Sequence, residues 1–146
     1  MAVEATDADW FEFDSVTGTI IGYKTGAPTD IVVPYEINGV AVVAIDGDAF
    51  ASKGLVKVVL PDTITSIGKG ASNVGAFSGN ALTSIVLSPN IAFIGDFAFY
   101  NAGLASISLP SHVDYIGLSA FAKNKLTSIS LPSSLVTIEQ AAFGEN

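Results

Sequence analysis

Arginine and cysteine are both absent from this sequence of 146 residues, and histidine and tryptophan occur once each. Without cysteine there is no disulfide framework, no thiolate metal site and no cysteine nucleophile. Charge is scarce, at 14% of residues against roughly 25% in an average soluble protein. All six basic residues are lysine, and fourteen acids leave a net charge of −8. Phosphate is repelled by such a surface, so no nucleic-acid partner is expected. Long apolar runs are missing too. None approaches the ~20 residues a membrane helix needs, so no membrane insertion is expected. Met1–Ala5 hold no basic segment followed by an apolar stretch, and no secretory leader is visible there. Val3-Glu4-Ala5 nevertheless fits the small-residue remnant of a cleavage site.

What is present is apolar: 49% of residues, which excludes a disordered chain. The length is that of one domain. Nine of the fourteen acids fall within residues 1–48, where Lys24 is the only base. A solvated acidic surface explains them better than a cation-binding or basic-partner patch, since no acidic cluster has the spacing of a calcium loop.

The apolar residues recur in phase. Leu55-x-x-Val58-x-Leu60-Pro61 returns as Leu82-x-x-Ile85-x-Leu87, then Leu104-x-x-Ile107-x-Leu109-Pro110, then Leu126-x-x-Ile129-x-Leu131-Pro132. The last three copies are 22 residues apart, and the first interval is five longer. Each copy continues into Ile64-x-x-Ile67-Gly68, Ile91-x-x-Ile94-Gly95, Val113-x-x-Ile116-Gly117 or Leu135-x-x-Ile138-Glu139. An Ala-Phe pair closes every unit, ending on Phe50, Phe77, Phe99, Phe121 and Phe143. The first unit is degenerate (Val33-Pro34, Val42-x-x-Ile45, Ala49-Phe50), and the five extra residues fall in the loop 69–75.

A 22-residue unit cannot bury its apolar set alone and must stack on its neighbours. Stacking at strand spacing, ~4.8 Å, predicts a ladder of the five phenylalanines. Leu-x-x-Ile-x-Leu reads as a short strand that proline ends. Ile-x-x-Ile reads as a second extended piece on the other side of the coil. Asp46 and Glu139 share the position of Gly68, Gly95 and Gly117. That argues for close packing or an ordinary turn there rather than a required positive φ.

This pattern resembles the BspA-like (Treponema-type) leucine-rich repeats over residues 31–146. The resemblance implies a β-rich solenoid: a right-handed leucine-rich-repeat coil of about five 22-residue repeats, with short parallel strands. Units are expected at 31–54, 55–81, 82–103, 104–125 and 126–146. Residues 1–30 are expected to form a tail and an N-terminal β-hairpin cap, with the hairpin at Trp10–Tyr23. The family often carries cysteine three residues after the phenylalanine. Here Lys53, Asn80, Ala102, Asn124 and Asn146 stand there. The asparagines form either a ladder bonding adjacent backbones or turns that tolerate left-handed geometry. Asn101 sits one place early.

By that resemblance the chain is expected to be a non-catalytic binding or adhesion module of a secreted or cell-surface protein, recognising a protein or glycan. An accessory glycan-targeting module of a larger enzyme and a structural spacer are the alternatives. No cofactor is expected, since Gly68-Lys69-Gly70 lacks the spacing of a phosphate loop. Ser84, Ser106 and Ser128 recur with the repeat, as do Ser108 and Ser130. Periodic serines are structural, so the lone His112 is not expected to serve a Ser-His-Asp site. Asp46-Gly47-Asp48 occupies a repeat corner and is not expected to bind metal.

The candidate binding face is the outward row of the leucine strand: Lys57, Val59, Ser84, Val86, Ser106, Ser108, Ser128 and Ser130. Solvation of an exposed sheet would also explain those serines. A second candidate is the outward aromatic pair Phe93 and Tyr115, with Phe97 and Tyr100 nearby. It would grip a sugar or anchor a partner, or simply stack to stabilise the sheet. The sequence stops at Asn146, where the next unit's leucine is due. A fragment of a longer repeat protein is therefore expected, or end-to-end self-association through an uncapped coil.

Overall fold

The computed structural model describes residues 4–68 and 74–146, so Met1–Val3 and most of the 69–75 loop lie outside the described residues. A single 3₁₀ turn (Ala8–Trp10) leads into a β-hairpin of β1 (Phe11–Asp14) and β2 (Thr19–Tyr23). The Asp14 carboxylate closes the hairpin turn, accepting from Val16 N–H and the Thr17 hydroxyl at 2.9 Å each. Those two bonds hold its pKa below the usual carboxylate range.

The isoleucine side of the coil is one continuous sheet. It runs β1-β2-β6-β8-β10-β11-β12, antiparallel within the hairpin and parallel from β2 onward. Its other members are β6 (Ala44–Ile45), β8 (Ser66–Ile67), β10 (Phe93–Ile94), β11 (Tyr115–Ile116) and β12 (Thr137–Ile138), while β4 (Glu36–Ile37) and β5 (Val40–Ala41) form a separate antiparallel pair. Ile20, Ile45, Ile67, Ile94, Ile116 and Ile138 occupy one register line. The hairpin thus adds a strand to the first coil and removes its open edge.

The phenylalanine side is a stack. Phe50, Phe77, Phe99 and Phe121 are fully buried, with successive centroids 5.1–5.2 Å apart and planes within 7°. Phe143 continues the stack at 5.5 Å and is half-buried. At the other end Tyr23 tilts against Phe50 and Phe11 against Tyr23. The Tyr23 hydroxyl donates to the Pro28 carbonyl at 2.7 Å, and burial pushes its pKa up to about 12.

Three observations settle the corner residues. Gly68 and Gly117 are absent from the positive-φ residues. A Cβ on Gly68 would sit 2.9 Å from the Ile45 carbonyl oxygen, so close packing between coils is what excludes a side chain. Asn80 and Asn124 bond adjacent backbones. The Asn124 Oδ1 accepts from Ala102 and Leu104 N–H at 3.1 and 3.0 Å, and its Nδ2 donates to the Phe99 and Phe121 carbonyls at 2.8 and 2.9 Å. Asn80 does the same to the first coil. The left-handed turn falls one residue earlier, on Ser52, Gly79, Asn101, Lys123 and Glu145. Asn101 is therefore a turn residue, and both readings of the asparagines hold at different positions.

The leucine side differs from expectation. A parallel sheet of β3 (Asp30–Val32), β7 (Lys57–Val59) and β9 (Ser84–Val86) forms as the repeat predicts. The equivalent segments around Ser106–Ser108 and Ser128–Ser130 are not strands. In the paired coils the outward register line is Val32, Val59, Val86, all β-branched. Serine holds that line at 108 and 130. Serine supplies little cross-strand packing, and the ladder stops where valine does.

Candidate functional site

The leucine face after β9 is open. No backbone N–H of Ser106–Leu109 or Thr127–Leu131 donates to another backbone group, among the described residues. The coils stay joined nearby, through Lys125 N–H to the Leu104 carbonyl at 2.7 Å. Two clefts follow the opening. One, of about 300 Å³, is lined by Ile85, Val86, Leu87, Pro89, Ser108 and Pro110. The other, of about 240 Å³, lies between Ser106–Leu109 and Ser128–Ser130. Isoleucine and leucine side chains line both clefts beside serine hydroxyls and unpaired peptide N–H groups.

The expected outward row is outward. Lys57, Ser84, Val86, Ser106, Ser108, Ser128 and Ser130 are exposed, and Val59 is half-buried. The clefts gather Val86, Ser106, Ser108, Ser128 and Ser130, while Lys57, Val59 and Ser84 belong to the closed part of the sheet. Strand alternation predicts a flat row and is silent on the clefts. The switch from valine to serine at 108 and 130 was the available signal.

On the opposite side Phe93 and Tyr115 are register partners, stacked at 4.9 Å and 9°, and both half-buried. The Tyr115 hydroxyl donates to Glu139 Oε1 at 3.4 Å. Desolvation raises the Tyr115 pKa, and the Glu139 and Asp96 carboxylates add to it. Phe97 and Tyr100 pack edge to face at 5.6 Å on the following corner. Lys123 Nζ sits 5.5 Å from the Tyr100 ring centre. The nearby Tyr100 hydroxyl and then the Glu145 carboxylate raise the Lys123 pKa. Sequence reading missed this lysine, because a cation over a ring on the neighbouring coil has no signature in residue spacing.

His112 is exposed, with Nδ1 3.1 Å from the Pro89 carbonyl oxygen, so a backbone group and not a serine or carboxylate meets the ring. Asp46 Oδ1 accepts from Gly47 N–H at 2.8 Å. Among the described residues no three His, Asp or Glu side chains converge to hold a metal ion.

Stacked 22-residue coils with parallel strands and a phenylalanine spine define a leucine-rich-repeat solenoid. The model of the BspA type leucine-rich repeat region matches residues 43–146 in six copies, and the chain belongs to that family. It is similar to the crystal structure of a leucine-rich repeat protein from T. pallidum, with TM-score 0.83 and 28% identity over 97% of this chain and 67% of that one. No curated protein matches the sequence. Membership suggests a protein-interaction module on a scaffold that is generally non-catalytic.

Proposed function

We propose that this chain is a non-catalytic docking module of a secreted or cell-surface protein, binding a protein partner across the leucine face of its later coils. The observation that carries this reading is the opening after β9. Unpaired peptide groups of Ser106–Leu109 and Thr127–Leu131 border two clefts lined by isoleucine, leucine and serine. Peptide groups left unpaired in a folded protein retain full hydrogen-bonding capacity. A partner that supplies donors and acceptors there gains bonds that the rest of this coil makes internally. Adhesion is the role such docking would serve, and a glycan is the competing ligand class. The near absence of aromatic side chains from the cleft walls favours protein over sugar.

An array of extracellular proteins and glycans, probed with the chain and two variants, tests the reading. Ser108→Arg fills the first cleft, and Val16→Arg alters a fully exposed hairpin residue as control. Protein binding that Ser108→Arg abolishes and Val16→Arg spares supports the proposal. Binding confined to glycans, or indifferent to Ser108→Arg, overturns it.

A further inference from the structure

The aromatic ladder on the isoleucine side is one ring short at its acidic end. Phe93 stacks on Tyr115, and the next residue on that register line is Thr137. Threonine is small, so the face of Tyr115 turned away from Phe93 has no aromatic neighbour on that line. Glu139 follows β12 by one residue, at the corner of the same coil as Thr137. Glu139 is exposed and already reaches the Tyr115 hydroxyl. At the other end of the pair Phe93 faces Ser66, and the position matching Glu139 is Gly68. One end of the pair therefore carries a carboxylate, and the other does not.

We propose that the slot above Thr137, between the free face of Tyr115 and the Glu139 carboxylate, takes the guanidinium of an arginine on a basic partner peptide. Charge complementarity selects this occupant. The Glu139 carboxylate, with Asp96 also close enough to act on Tyr115, gives the slot its negative charge, and the chain has no arginine of its own. A guanidinium is planar and stacks on an aromatic face while its N–H groups pair with a carboxylate. The protein makes a related arrangement internally one corner away, where Lys123 lies over Tyr100 with Glu145 near. A sugar ring would use the same aromatic face but has no charge for Glu139 to meet. This surface lies on the other side of the coil from the clefts, and the inference stands independently of the proposed leucine-face docking.

The test is an NMR titration at low ionic strength with hexa-arginine, hexa-lysine and chitohexaose. Hexa-arginine is expected to bind most tightly, with amide shifts centred on Tyr115 and Thr137–Glu139. Glu139→Gln removes the carboxylate, and Thr137→Tyr fills the slot with the missing ring. Each should weaken hexa-arginine about fivefold. The double variant Asp7→Asn/Asp9→Asn, which removes more charge elsewhere, should change affinity less than about twofold. Affinity unchanged in both slot variants overturns the assignment, as do shifts centred on residues 4–48. Equal binding of hexa-lysine overturns the guanidinium, and preferential binding of chitohexaose replaces it with a glycan.

Discussion

The two strand-bearing sides of the coil are built from the same repeat and end differently. On the isoleucine side the ladder continues from β2 to β12. Each step also carries flanking bonds, such as Asp114 N–H to the Ala92 carbonyl and Gly117 N–H to the Ile94 carbonyl, at 2.9 and 2.8 Å. On the leucine side pairing ends at β9. Coil spacing is held by the isoleucine sheet and by the phenylalanine stack, so the leucine side is free to part without unfolding the solenoid. A repeat protein can thus open one wall while the other walls fix its pitch.

The largest expected effect breaks a fixed wall. Phe99→Ala removes a fully buried ring that stacks on both sides, and should cost about 3–5 kcal/mol in chemical denaturation. Phe143→Ala removes a half-buried ring with one stacking partner and should cost clearly less. Equal losses would mean that the stack does not set the pitch.

Asn124→Ala comes next, and cuts the corner bonds between the third and fourth wraps of the chain. It leaves Ala102 and Leu104 N–H without their acceptor in a buried place, so about 2–3 kcal/mol should be lost. Asn101→Ala alters an exposed left-handed turn residue and should cost about 1 kcal/mol through backbone strain alone. Similar losses at the two positions would deny the asparagine bonds their role in joining coils.

Much of this was legible in the residues. Five Ala-Phe pairs in phase announce the stack, and the shared position of Gly68 and Glu139 correctly argues against a left-handed requirement. The hairpin, Phe11–Tyr23 in the structure, was expected at Trp10–Tyr23 only through the family resemblance. Two things were less visible. The left-handed turn sits on Ser52, Lys123 and Glu145, residue types that do not advertise it, because the inter-coil bonds impose it. The opening of the leucine face depends on cooperation between outward neighbours in different coils. A pattern read one repeat at a time averages that away.

The smallest expected effect separates two causes of the opening. One is the outward line, where valine gives way to serine at 108 and 130. The other is the inward line, where Leu60 and Leu87 are buried, Leu109 is half-buried and Leu131 is 49% exposed. Ser108→Val/Ser130→Val extends the outward valine line and leaves the inward one alone. If outward packing controls pairing, amide exchange at Ser106–Leu109 should slow and stability should rise by about 0.5–1 kcal/mol. The clefts would close, and partner binding on that face would fall with them. If exchange is unchanged, the declining burial of the inward leucines sets the opening. The closed and open parts of the face would then differ in how firmly the core holds them, and the serines would only line a gap that already exists.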